Sequence, residues 1–412
     1  MKHHLDQNQV TKPSSAWAYR FVLLLVVLVI LYGSLFPFEF QARSYPGGPL
    51  SYLLSTWRVW DHRGDLLANI LLYMPFGFFA VLALPSRLAA GPKLLLGIIA
   101  GVLLAGGVET AQFHDAGRVT SMGDVYANGI GAALGALAGV LLDRSWRWPL
   151  VGELVANPVE SLLLAMFFAY RLFPYVPVID LHKYWHAVRP MLLTPSMPPE
   201  EFLRYLVTWL FIAALVDVLY GWRRFLLLFP LLCGLEFAGK VAIIGAELKL
   251  NDIVSAAAAF VVWLLLLRRL PGKFVLLSLA FAAMIAIERL QPFQFNVAPQ
   301  AFGWIPFSSF MHGSISVDIQ AFCQKFYEYG GLIWLLNRSG MRLPVGTLLT
   351  AALLLVTSFL ERWLPGRSAE ITDAVMALIL GGMFDVFRHQ LGPITVPARK
   401  IKNARAQPTR SS

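Results

Sequence analysis

Long apolar runs, separated by short polar turns, dominate this chain from its first tryptophan to its C-terminal tail. The runs reach about 20 residues, which is the length that an α-helix needs to cross the hydrocarbon core of a bilayer. They lack the strand-like alternation of apolar and polar residues, so the pattern predicts helices and excludes a membrane β-barrel. About twelve membrane-spanning helices are predicted in this way. Their starts lie near Trp17, Asp65, Pro92, Asp124, Pro158, Glu201, Arg224, Asp252, Phe274, Asp318, Pro344 and Ile371.

The predicted spans form three groups of four, which indicates internal repetition. The groups cover residues 17–142, 158–270 and 274–388. The first span of each group ends on a cluster of aromatic residues and proline, and a long polar loop follows it. These clusters contain Phe36, Pro37 and Phe38, then Phe173, Pro174 and Tyr175, then Pro292 and Phe293. Residues 393–412 are predicted to be a basic, disordered cytoplasmic tail.

Composition favours an all-α integral membrane protein. Hydrophobic residues make up 57% of the 412 residues, charged residues make up 14%, and the mean hydropathy is +0.62. Lysine and arginine lie in alternate turns and in both terminal segments, so both termini are predicted to be cytoplasmic in a multi-pass protein of the inner, cytoplasmic membrane. The net charge of +10 is therefore a topology signal, and no nucleic-acid partner is predicted.

A charged motif recurs at the tips of the predicted helical hairpins. The first copy comprises Glu109, Gly117, Arg118 and Asp124. The last copy comprises Glu361, Gly366, Arg367 and Asp373. The middle copy keeps Glu236, Gly245 and Asp252, but Ala246 replaces the arginine. In both complete copies the glycine directly precedes the arginine, and the aspartate follows that arginine by six residues. This spacing predicts a functional or structural role for charge at the membrane surface.

Polar residues at helical spacing accompany the first copy of the motif. Gln112 shares a helix face with Glu109, and Asn128 lies one turn beyond Asp124 on the next span. The second span carries the stripe Asp65, Asn69 and Tyr73. Below Asp124, glycines at four-residue intervals predict a ridge that lets a neighbouring helix approach closely. These glycines are Gly131, Gly135 and Gly139.

The first group resembles the VanZ-like membrane protein family. The residues that carry this resemblance are Asn69, Pro75, Phe76, Gly77, Glu109, Gln112, Arg118, Asp124, Asn128 and Gly131. The last group departs from the pattern with Leu364 and Ala377 in the places of the two amides, and the middle group departs further with Ala246 and Ala256. The resemblance implies a small helical bundle and an association with the cell envelope or with tolerance to glycopeptides such as teicoplanin. It implies no defined reaction.

Two main interpretations of the motif stay open. In the first, Glu109, Arg118 and Asp124 form an ion-pair clasp that closes the hairpin, because charges at membrane depth are retained when they are paired. This interpretation predicts compensation in the middle copy, where the arginine is missing. The lysines that could provide it there are Lys240 and Lys249, beside Glu236 and Asp252.

In the second interpretation, the motif lines an outward-facing polar pocket for a membrane lipid or a lipid-linked envelope precursor. Arginine matches phosphate oxygens with its fork of donors. A catalytic version would use Glu109 as general base, Arg118 as anion clamp and Asp124 as the orienting group, and whether the protein is an enzyme stays open. The other ligand-binding candidates are Asp65, Asn69, Gln112, Asn128, Glu361, Arg367 and Asp373. Proteins of envelope biosynthesis are possible partners.

A secondary transporter is a further alternative, because repeated bundles and intramembrane acids occur in that class. The acids here lie at the outer ends of the spans, which fits transport poorly. In the middle loop, His182 and His186 would bind a metal only with a third ligand such as Asp180, and an interfacial helix is the favoured interpretation. Cofactor-binding and common catalytic motifs are not found, so no cofactor and no metal are predicted.

Overall fold

The architecture is helical throughout the part of the chain that the structure describes. A computed structural model gives the backbone of residues 16–36, 38–57, 63–116, 118–145, 149–296, 298–309 and 315–391. Within these ranges there is no β-strand, and pairing between extended segments is limited to three isolated bridges. The predicted all-helical class is confirmed. The predicted tail at 393–412 lies outside the described residues.

The helices are grouped by the three predicted sequence ranges, and a threefold repeat is not confirmed. The first group contains α1 (Ala16–Leu35), α2 (Gly48–Ser55), α3 (Arg63–Ala83), α4 (Ala90–Gln112) and α5 (Met122–Ser145). Helix α6 (Pro149–Ala156) lies before the predicted middle group, which contains α7 (Pro158–Arg171), α8 (Leu181–Leu193), α9 (Pro199–Ala242) and α10 (Leu250–Leu265). The last group contains α11 (Lys273–Leu290), α12 (Ile315–Arg338), α13 (Leu343–Leu360) and α14 (Thr372–Leu391).

Helix α9 consists of two arms that meet at Gly221. Its 44 residues would extend over about 66 Å as one straight helix, which is twice the thickness of a hydrocarbon core. Gly221 has φ 73° and ψ 162°, a conformation that glycine adopts without a steric penalty. The break lies between the predicted span starts near Glu201 and Arg224.

Six of the described helices are long and apolar enough to cross a membrane, or up to seven if the bent pair α6 and α7 forms one span. The six segments are Trp17–Leu35, Ala90–Gln112, Met122–Asp143, Pro199–Ala242, Leu250–Arg269 and Leu343–Trp363. These helices indicate a multi-pass membrane protein, whereas twelve crossings are not confirmed. Helix α12 shows why the numbers differ, because Asp318, Lys325 and Glu328 lower its mean hydropathy although it packs within the bundle.

Two large apolar clusters hold the helices together. One joins α1 to α5 around residues such as Tyr73 and Phe76 of α3. The other is larger and joins α7, α9 and α10 to α11–α14 around fully buried side chains such as Trp209 and Tyr327. The middle and last groups therefore share one core, and burial of apolar surface holds their polar helix ends in fixed positions.

The predicted glycine ridge on α5 is confirmed as a close contact between α5 and α3. A Cβ atom added at Gly131 would overlap the carbonyl oxygen of Ile70, and one added at Gly135 would overlap that of Met74. Gly77 of α3 faces the backbone of α5 in the same way, at Ala132. Since the neighbouring atoms belong to the backbone, they cannot move aside as a side-chain end would.

Gly135→Leu is expected to destabilise the protein by about 3 kcal/mol or more, because α3 and α5 would have to separate to make room for the side chain. Thermal unfolding of the purified protein in detergent measures this loss. Gly107→Leu is the matched control, since no atom lies within 4 Å of a Cβ added there. Equal stability of the two variants would contradict the close approach of α3 and α5.

Candidate functional site

The turn that ends the first long helix has the same backbone form in all three groups. Its aromatic residue has a positive φ each time, at Phe38, Tyr175 and Phe293. Three residues further on, a backbone N–H donates to a carbonyl oxygen at the start of the motif loop or at the end of the helix before it. These hydrogen bonds run from Gln41 to His114 at 2.6 Å, from Val178 to Ala242 at 2.9 Å, and from Asn296 to Trp363 at 2.6 Å. The loop after the first long helix is therefore held against the motif loop in each group.

Helices α3, α4 and α5 bring the predicted polar residues of the first group together. The side-chain amide of Asn69 donates to Asp124 at the start of α5. Glu109, near the end of α4, is 2% exposed and accepts the backbone N–H of Ser121 at 2.9 Å. Asp65 lies in the first turn of α3, but its side chain lies outside the described part of the structure. Glu109 and Asp124 thus lie at the same end of the bundle of α3, α4 and α5, as the sequence predicts.

Arg118 contacts the end of α1. Its Nε donates to the carbonyl oxygen of Phe36 at 2.9 Å, and its Nη2 donates to that of Gly33 at 2.7 Å. Gln112 donates to the carbonyl oxygen of Ser34 at 2.7 Å. The last carbonyl groups of a helix have no partner within the helix, so Arg118 and Gln112 cap α1. This geometry differs from the predicted anion clamp, since two of the donor atoms of Arg118 serve the backbone.

Two polar side-chain atoms of the first group are buried without a hydrogen-bond partner among the described residues. The Tyr73 hydroxyl on α3 and the Asn128 side-chain oxygen on α5 have no hydrogen-bond partner within the described structure. Tyr73 is 0% exposed and Asn128 is 4% exposed. Both lie one helical turn from the Asn69–Asp124 contact, on the same helix faces. Burial of a polar atom without a hydrogen bond lowers the stability of the fold, so these two atoms indicate a site for a water molecule or a ligand.

In the last group, an arginine from the first helix, α11, binds both acids of the motif. Arg289, at the end of α11, donates to Glu361 at 2.9 Å and also to Asp373. Its Nη1 donates to the Tyr329 hydroxyl at 2.9 Å. Lys325 lies 2.8 Å from the other carboxylate oxygen of Asp373. The two acids of this copy are therefore held by the buried Arg289 and by the partly exposed Lys325.

Arg367, the predicted arginine of the last copy, lies elsewhere. Its Nη2 donates to the carbonyl oxygens of Glu288 and Gln291, at 2.8 Å and 3.0 Å. It therefore caps α11 in the way that Arg118 caps α1. The predicted grouping of Glu361 with Asp373 is found in the structure, and the cation between them is Arg289.

The middle group has the same arrangement as the last. Arg171, at the end of α7, donates to Glu236 at 2.8 Å and to Asp252. Lys240 lies 2.7 Å from Asp252 and 3.5 Å from Glu236, so the predicted compensation by this lysine is confirmed. The Lys249 side chain bonds to Glu201 instead, and its backbone N–H donates to Asp252.

The sequence distinguishes the first group from the other two at one position of the aromatic turn. Arg171 and Arg289 each lie three residues before the proline of the aromatic turn, and Ser34 lies in that place in the first group. Tyr329 follows Lys325 by four residues and binds Arg289. Tyr73 follows Asn69 by four residues in the first group, and its hydroxyl has no described hydrogen-bond partner. The recurring Arg-Leu-x-Pro-aromatic sequence is the signal that would have identified both arginines.

The middle loop forms α8, which is capped by Asp180 through the backbone N–H of His182 at 2.9 Å. The ring nitrogens of His182 and His186 lie 3.0 Å apart. Across the described residues, no group of three or more histidine, cysteine or acidic side chains is arranged to hold a metal ion.

The fold and the hairpin-tip clusters define a helical, multi-pass membrane protein with buried charge at the ends of its helices. The model of the VanZ/LLP1 family matches residues 19–143. This match confirms the VanZ-like resemblance of the first group, and the matched residues include Glu109, Arg118 and Asp124. Neither a curated protein nor a solved structure matches the chain.

Proposed function

We propose that the protein acts at the cell envelope and that its first group binds the polar headgroup of a phosphorylated lipid or a lipid-linked envelope precursor. The observation that carries this proposal is the pair of buried, unpaired polar atoms of Tyr73 and Asn128. They lie beside the acids of the motif in the one region that matches the VanZ/LLP1 family. The family resemblance adds a possible role in glycopeptide tolerance.

We propose that the chain consists of three related units with different roles. In the middle and last units, Arg171 and Arg289 bind the acid pair from within the chain, so these clusters are ion-pair clasps. The recurring turn and loop contacts support this three-unit interpretation. In the first unit Ser34 stands at the sequence position of that arginine, and the buried Tyr73 hydroxyl and Asn128 oxygen have no hydrogen-bond partner among the described residues, which leaves a polar place that a ligand can enter.

The chemistry of the first unit favours a ligand that donates hydrogen bonds. Carboxylates accept hydrogen bonds only, and the Asn128 oxygen and the Tyr73 hydroxyl can both accept as well. A headgroup amine or hydroxyl would satisfy these atoms. Arg118 uses Nε and Nη2 in its described contacts, so Nη1 can donate to a neighbouring phosphate oxygen. Glu109, Asn69, Gln112 and Asp124 would position the ligand, and binding is the activity proposed.

The proposed setting is the cytoplasmic membrane, with both termini in the cytoplasm and the motif loops on the outer side. The alternating basic turns support this orientation. Lipid precursors expose their phosphates at the headgroup level of that face, where the motif loops would lie. Envelope-biosynthesis proteins that make or use such lipids are the proposed protein partners.

Tyr73→Phe and Asn128→Ala are expected to lower the amount of co-purified lipid several-fold, because each removes an unpaired polar atom and leaves the charged cluster in place. Native mass spectrometry of the detergent-purified protein measures the bound species. Tyr45→Phe is the control, since Tyr45 is exposed. Unchanged lipid content in both folded variants would contradict binding at this site.

A further inference from the structure

A second polar space lies between the middle and last groups, away from the family-matched region. It is a cavity of about 380 Å³ at the junction of α7, α9, α11 and α12, and the loop before α10 also lines it. Five of its lining side chains are cationic or acidic groups from the middle group: Arg171, Arg204, Lys240, Glu247 and Lys249. The last group contributes two acids and two amides, which are Glu288, Glu328, Gln320 and Gln324.

One wall of the cavity carries positive charge. Arg171 is bound to Glu236 and Asp252 through Nε and Nη2, so Nη1 retains donors in its described contacts. Lys249 lies at the N-terminal end of α10 and contacts Glu201 at 3.0 Å. That hydrogen bond raises the pKa of Lys249, which keeps the ammonium group charged.

Acidic and amide side chains of α11 and α12 line another part of the cavity. The amide of Gln324 donates to Glu328 at 2.8 Å and to Glu288 at 3.3 Å, which holds the two carboxylates side by side. Arg204 reaches across from α9 and lies 3.1 Å from Glu288. This bridging pair is the most open contact of the site, with side-chain exposures of 40% for Arg204 and 26% for Glu288.

The balance of charges restricts what can enter. At the Arg204–Glu288 pair, a lone anion would bind Arg204 at the expense of Glu288, and a lone cation would bind Glu288 at the expense of Arg204. Either case leaves one charge of the pair without its partner, which is costly in a partly buried site. A ligand that carries both signs replaces one ion pair by two and leaves no charge uncompensated.

We propose that this cavity binds a small zwitterion, with its anionic end against Arg171 and Arg204 and its ammonium group against Glu288 and Glu328. The shared chemistry is a phosphate or carboxylate separated by a short linker from a protonated amine. It occurs in the headgroup of an aminophospholipid and in a free amino acid. The site is independent of the proposed function, because it uses side chains of the middle and last groups only.

Thermal unfolding of the full-length protein in detergent tests this proposal. O-phosphoethanolamine and glycine serve as zwitterionic probes, and sodium acetate and ethylammonium chloride at equal ionic strength serve as single-ion controls. We expect the zwitterions alone to raise Tm. In the double variant Arg204→Gln/Glu288→Gln, the apparent affinity is expected to fall by about tenfold or more. Asn128→Ala, in the first group, is expected to retain the full response.

Two results would overturn the proposal: an equal Tm shift from the single ions, or an unchanged zwitterion response in the folded double variant. If the double variant does not fold, Gln324→Ala takes its place, because the amide that aligns Glu288 with Glu328 is then lost. Lipid analysis of the purified protein distinguishes an aminophospholipid headgroup from a free zwitterion as the bound ligand. Aminophospholipid that is bound to the wild type and lost from the variant identifies a headgroup, whereas stabilisation by the probes without bound aminophospholipid identifies a free zwitterion.

Discussion

Arg289→Ala is expected to destabilise the protein by about 3–5 kcal/mol, because it leaves buried charges without their main partner. Arg289 holds Glu361 and Asp373 together, and it also binds Tyr329, Thr357 and Ser358. Lys325 remains 2.8 Å from Asp373, so part of the charge of this acid stays compensated. The amount of folded protein after detergent extraction and its Tm measure the effect.

The control for this variant removes the acids together with the arginine. Arg289→Ala/Glu361→Gln/Asp373→Asn is expected to recover part of the lost stability, because no carboxylate is then left unpaired in the core. Arg362→Ala, at an exposed contact with the Gln300 carbonyl oxygen, is expected to change little. If Arg289→Ala were no less stable than Arg362→Ala, the ion-pair clasp would be ruled out for the last group.

Arg171→Ala is expected to cost about 3 kcal/mol, towards the lower end of the range for breaking a buried pair. The cost is smaller because Lys240 stays 2.7 Å from Asp252 and shares the compensation with Arg171. The double variant Arg171→Ala/Lys240→Ala should therefore lose more than the sum of the two single variants, as measured by Tm in a double-mutant cycle. Additive losses would show that the two cations act independently.

Local patterns in the sequence predict much of the fold. The apolar runs predict the helices, and the four-residue spacing of Gly131 and Gly135 predicts the tight contact with α3. The motif spacing also places Glu109 near Asp124 and Glu361 near Asp373. These predictions succeed because helix periodicity fixes which residues share a face, and short hairpins bring consecutive helices together.

The partners of the acids could not be read from the motif itself. Arg171 and Arg289 lie 65 and 72 residues before the glutamates that they bind, and only the packing of the first long helix brings them there. The packing of the same helices also explains Arg118 and Arg367. They lie close to the motif acids in sequence, but they contact the ends of α1 and α11. A count of spans from apolar runs also includes α12, whose charged residues are accommodated by contacts inside the bundle.

The lipid content of Ser34→Arg, measured by native mass spectrometry beside the wild type, tests most directly that the first group is a ligand site. The new arginine would stand at the sequence position of Arg171 and Arg289, and its long side chain is expected to fill the polar place beside Tyr73 and Asn128. We expect a folded protein from which the bound lipid is lost. A folded Ser34→Arg variant that retains its lipid in full would contradict this account.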